Sequence, residues 1–67
     1  MTILLFENVH LLLAAEKRLK AAAVPCELIP TPKEISADCG MSVRLERERL
    51  GQAETALAGL RFRVVEP

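Results

Sequence analysis

Two thiols, Cys26 and Cys39, are the strongest nucleophiles in this 67-residue chain, and they stand in different surroundings. Cys39 belongs to Pro30-Thr31-Pro32-Lys33-Glu34-Ile35-Ser36-Ala37-Asp38-Cys39-Gly40, a stretch that no amphipathic pattern explains. A thiol in a loop either fills space or acts as a thiolate nucleophile, and its pKa decides which. A helix N-terminus, His10, Lys33 or Arg61 nearby would lower that pKa, while Asp38 next door would raise it. Thr31 and Ser36 are residues that cap turns or hold a substrate by a hydroxyl. Gly40 permits a tight bend beside the sulfur. Cys26, between Pro25 and Glu27, reads instead as a small buried hydrophobe in a strand. The strand between them holds the two sulfurs too far apart for an intramolecular disulfide.

Composition narrows the field of functions. Nine basic and nine acidic side chains cancel, and the aromatics are Phe6 and Phe62 alone. Zero net charge and so few rings argue against nucleic acid and against an anionic membrane surface. No apolar run approaches the ~20 residues of a membrane span. Met1-Thr2-Ile3-Leu4-Leu5-Phe6-Glu7 carries no basic leader, so the expected compartment is the cytosol, with both thiols reduced. Metal chaperones with Cys-x-x-Cys after a first strand are the competing chemistry, but Glu7-Asn8-Val9-His10 holds no cysteine. One Cys and one His cannot close a four-ligand zinc site, so no metal and no cofactor is expected.

The elements that must position Cys39 are legible on either side of it. Thr2–Phe6 is a short, almost wholly apolar run, which suits a covered central strand. Asn8 is an N-cap type, and Val9–Ala23 follows with helical composition. Its inward stripe is Leu12, Ala15, Leu19 and Ala22, which leaves Leu13 unexplained on the wet side. Pro25 stops the helix and restricts Val24. Cys26–Ile29, held between two prolines, reads as an edge strand. Thr31-Pro32-Lys33-Glu34 has the form of a capping box, predicting one helical turn from about Pro32 to Ala37.

Met41–Glu46 then alternates apolar and polar, the clearest strand in the chain. Arg47–Ala58 returns to helical spacing through Leu50, Ala53 and Leu57, weakened by Gly51 and stopped by Gly59. Arg61–Val64 closes with a last strand. The order strand, helix, strand, strand, helix, strand predicts one ferredoxin-like α+β domain over residues 1–67. Its four-stranded antiparallel sheet has order 4-1-3-2, with both helices on one face. Cys39 then falls at the end of the sheet where the first strand finishes, with Asn8, His10 and Arg61.

The outer sheet face supplies a second kind of function. If Ile3, Leu5 and Leu28 point inward, then Leu4, Phe6 and Ile29 form an outward apolar patch, mixed with Arg44 and Arg63. Such a patch would make the domain a non-enzymatic interaction or regulatory module, docking a partner or pairing as a homodimer.

Several segments together resemble a known family. These are Ala15-Glu16-Lys17-Arg18-Leu19-Lys20, Val24-Pro25, Leu28 through Ser36, and Cys39-Gly40-Met41-Ser42-Val43-Arg44. They are similar to the selenium/sulfur carrier-like family of short, mostly bacterial proteins, from first strand to last. The most specific part is Pro-Thr-Pro-Lys-Glu-Ile-Ser followed by Cys-Gly. The resemblance implies a carrier cysteine, here Cys39, with Gly40 beside it, rather than an enzyme with turnover of its own. It implies that Cys39 takes sulfane sulfur or selenium as a persulfide or selenopersulfide and relays it to a partner thiol. Thr31, Lys33 and Ser36 are the candidate residues to hold that cargo, joined by His10 on its place near the start of the helix and not on the resemblance. The implied partners are a cysteine desulfurase-type donor or a related relay protein.

Overall fold

The computed structural model describes residues 1–35 and 40–66. Strands β1 (Thr2–Leu5), β2 (Glu27–Pro30), β3 (Met41–Leu45) and β4 (Arg63–Val65) form one sheet in the order β2-β3-β1-β4. All three pairings are antiparallel, with Leu4 opposite Val43 and Val64, and Leu28 opposite Val43. Helices α1 (Val9–Ala21) and α2 (Leu50–Ala56) complete the predicted α+β, ferredoxin-like arrangement, and β2 lies at an edge as its flanking prolines require. A 3-10 turn at Arg47–Arg49 leads into α2, so the second helix is shorter than its periodicity suggested.

Each helix has a physical start and stop. The Asn8 side chain accepts from the Leu11 amide at 2.9 Å, satisfying one of the orphan N–H groups of α1. At the other end Ala23 adopts φ 58°, the Val24 amide donates to the Leu19 carbonyl at 2.9 Å, and the Ala23 amide donates to the Lys20 carbonyl at 3.0 Å. That pair of bonds is a Schellman motif, and the buried Leu19 and Val24 supply its apolar contact. The helix is therefore already closed two residues before Pro25. Ala22, expected on the inward stripe, is the exposed cap residue instead. Gly59 takes φ 91° just beyond α2, the left-handed conformation for which glycine was expected there. The Arg18 guanidinium donates to the Ala58 carbonyl at 2.7 Å and so ties α1 to the end of α2.

The core lies between the helices and one sheet face. Leu4, Phe6, Val43 and Leu45 meet Leu12, Ala15 and Leu19 of α1 and Ala53 and Leu57 near α2. Phe6 and Phe62 sit with ring centroids 5.8 Å apart, an ordinary aromatic separation. This placement corrects the expectation for the sheet face. Leu4 and Phe6 point into the core, so Ile3 and Leu5 occupy the opposite face. The register leaves no choice, because Ile3 lies opposite Arg44 and Leu5 opposite Arg63. Even there Ile3 and Leu5 are buried, so these residues do not form the exposed apolar patch that the interaction-module reading needed. On this face Arg44 pairs with Glu27 across β2 and β3.

Candidate functional site

The end of β1, the start of α1 and the start of β3 converge at one end of the sheet. A cleft of about 350 Å³ opens there, lined by Phe6, Glu7, Asn8, Val9, Leu12, Gly40 and Met41. Gly40 carries the chain into this cleft from the loop, and a Cβ built on it would meet nothing within 4 Å. The cleft is mixed in character. Phe6 and Leu12 are buried core residues, while Val9 and Met41 expose apolar side chains. Glu7 and Asn8 supply the polar groups, and the N-terminus of α1 brings the positive end of its dipole.

The base of the loop is closed by β-type bonding continued beyond the last strand pair. Pro30 lies opposite Met41, and one position further the Thr31 amide donates to the Gly40 carbonyl at 3.1 Å. The Thr31 hydroxyl is also hydrogen-bonded to the Ser42 hydroxyl, and Ser42 is fully buried. A buried hydroxyl needs a partner, and Thr31 provides it. Ile35 donates its amide to the Pro32 carbonyl at 3.0 Å, closing a turn where the helical turn was predicted.

The sequence-predicted residues fall as follows. Gly40 lines the cleft. Thr31 is half-buried at the loop base, and its hydroxyl meets Ser42. His10 is exposed in the first turn of α1, and Lys33 is exposed in the turn after Pro32. Arg61 reaches this end of the fold, where its guanidinium lies 3.8 Å from the Glu7 carboxylate. Its charge is thus shared with an acid that sequence reasoning did not consider. Ser36, Asp38 and Cys39 lie outside the described residues, as does the end of the predicted turn at Ala37.

Cys26 occupies quite different ground. It is free, half-buried, and packs against the core cluster near the edge of the sheet. Burial pushes its thiol above the ordinary value of 9.0; the Glu16 carboxylate adds to the rise, and Lys20 opposes it. At neutral pH this sulfur stays protonated and is a poor nucleophile.

Sequence reasoning missed Ser42, Glu7 and Val9 as parts of this region. Ser42 shares the polar phase of Met41–Glu46 with Arg44 and Glu46, so alternation assigned it to solvent. The signal that could have found it was Thr31, two residues beyond Ile29, which pairs with Ser42. Among the described residues no three His, Cys, Asp or Glu side chains are grouped to hold a metal ion. No helix of the described residues is long and apolar enough to cross a membrane.

The family described as Putative Se/S carrier protein-like matches residues 1–65 of the chain. The chain belongs to that family. The match runs from β1 through β4 and takes in the cleft, the loop and both cysteines, as the resemblance of the Pro-Thr-Pro-Lys-Glu-Ile-Ser and Cys-Gly segments implied. No curated protein and no solved structure matches the chain. The family description points to selenium or sulfur as cargo and to partners in its transfer.

Proposed function

We propose that this protein carries activated sulfur or selenium on Cys39 and relays it between partner proteins in the cytosol. The observation that carries this reading is family membership over residues 1–65. Two structural facts support the choice of cysteine. The residue bonded to Cys39, Gly40, lines the cleft at the N-terminus of α1. The other thiol, Cys26, is packed against the core with its ionisation suppressed.

The chemistry is a displacement without net oxidation. The Cys39 thiolate attacks the outer sulfur of a donor persulfide, a new S–S bond forms, and the donor's S–S bond breaks. The donor leaves as a thiolate that takes up a proton, and Cys39 holds the persulfide. In delivery the acceptor's thiolate attacks that outer sulfur, and Cys39 departs as the thiolate. Selenium follows the same course with a selenium atom in the outer position. The helix N-terminus beside the cleft favours the anionic forms of both thiol and persulfide. Gly40, Thr31, Lys33, Ser36 and His10 are the residues proposed to accommodate the cargo. The donor is a cysteine desulfurase-type protein or another relay protein.

The test is intact mass spectrometry of the protein after exposure to a sulfane-sulfur or selenium donor, alongside Cys39→Ser and Cys26→Ser. The reading expects one added chalcogen atom, released by dithiothreitol and lost only in Cys39→Ser. Equal loading of both cysteines, or none at Cys39, overturns it.

A further inference from the structure

We infer that Thr31 and Ser42 are positioning residues for sulfur transfer, acting as a clasp that fixes the point from which the loop thiol meets its donor. The inference rests on the carrier reading of Cys39 and goes beyond it by naming the residues that set reaction geometry from outside the cleft lining. Thr31 and Gly40 stand on either side of residues 32–39 in the sequence, and Thr31 is tied to the chain that follows them by two bonds. The Thr31 amide donates to the Gly40 carbonyl at 3.1 Å, and the Thr31 hydroxyl is bonded to the hydroxyl of Ser42.

The two bonds play different parts. The main-chain bond sets the separation of the strands at the loop base. The hydroxyl bond is a diagonal cross-strand pair, since Ile29 is the residue directly opposite Ser42 and Thr31 lies two positions on. Ser42 is fully buried, and in β3 it precedes Val43, which pairs with Leu4 of the central strand. Its hydroxyl therefore holds Thr31 against the rigid part of the sheet. Gly40, the point where the chain enters the cleft, inherits that rigidity through its carbonyl. Attack of a thiolate on sulfane sulfur requires near-linear approach at close range, so loss of the clasp slows transfer even where sulfur can still be held.

The experiment is a single-turnover loading assay with a small sulfane-sulfur donor, run on wild type, Thr31→Val, Ser42→Ala, Thr31→Ser and Cys39→Ser. Thermal unfolding of each variant is measured in parallel. Thr31→Val removes the hydroxyl while keeping its shape, and Thr31→Ser retains it. The clasp predicts that Thr31→Val and Ser42→Ala lower the saturating loading rate by about tenfold. In Ser42→Ala the donor concentration for half-saturation and the final load of one sulfur per chain stay unchanged, and Thr31→Ser restores the rate lost in Thr31→Val. Folded Thr31→Val or Ser42→Ala protein that loads at the wild-type rate overturns the clasp while leaving the carrier reading intact. A wild type that does not load, or a Cys39→Ser variant that loads equally, overturns both.

Discussion

The Val24 amide donates to the Leu19 carbonyl at 2.9 Å across Ala23, which stands at φ 58°. An alanine in this left-handed position costs roughly 1 kcal/mol relative to glycine, because its Cβ crowds the following carbonyl. Ala23→Gly is expected to stabilise the domain by about that amount. In a domain of this size it corresponds to a rise of about 4–8 °C in Tm, read by calorimetry or circular dichroism. Ala23→Val is expected to move Tm the other way.

The N-terminal cap of α1 gives the opposite sign. Asn8 accepts the Leu11 amide at 2.9 Å, and Asn8→Ala is expected to cost about 1 kcal/mol. Asn8→Ser and Asn8→Asp retain an acceptor and should keep most of the stability. Equal Tm values for Asn8→Ala and Asn8→Ser would show that the cap bond contributes nothing.

Cys26 provides a pH-dependent prediction. Its folded pKa is raised, by burial first and by Glu16 second, so the folded state favours the protonated thiol. The unfolded chain releases that proton at the ordinary value, near 9.0. The contribution to stability is then fully present below about pH 9 and declines as pH rises from there through the folded value. Urea titrations should show this alkaline decline shrinking in Cys26→Ala. In the native protein at neutral pH, Cys26 should also react with iodoacetamide more slowly than it does after denaturation.

The two faces of the fold can be told apart by a pair of leucines. Leu4 is completely buried, whereas Leu13 is 50% exposed on α1. Leu4→Ala is expected to cost about 2–5 kcal/mol, a large share of the stability of so small a domain. Leu13→Ala should stay within about 0.5 kcal/mol of wild type. Chemical denaturation of both variants checks the assignment, and a reversed order would contradict the burial of Leu4 and the exposure of Leu13.

Much of this architecture is legible along the chain because the local period of apolar residues marks the elements, even where burial at single positions such as Met41 and Ser42 departs from it. The stripe Leu12, Ala15 and Leu19, the alternation from Met41 to Leu45, and the cap type at Asn8 each match an element that formed. Leu50, Ala53 and Leu57 likewise face inward as their spacing suggested, although a 3-10 turn takes the first residues of that segment. The helix end was placed for the wrong reason. Pro25 looked like the stop, but the chain turns at Ala23, where no glycine advertised a left-handed residue.

Of the candidate site, the sequence alone offered Cys39 beside Gly40, two prolines marking an edge strand, and a family likeness over nearly the whole chain. It determined the order of elements, because each period of apolar residues is a local property of the backbone that carries it. The inward face of β1 was a tertiary decision. Ile3, Leu4, Leu5 and Phe6 are all apolar, so a period of two has no contrast to read, and only pairing with Val43 sends Leu4 and Phe6 to the helices. The bond between Thr31 and Ser42 was decided in the same way. Eleven positions separate the two hydroxyls along the chain, and strand register alone brings them together to hold Gly40 beside the cleft.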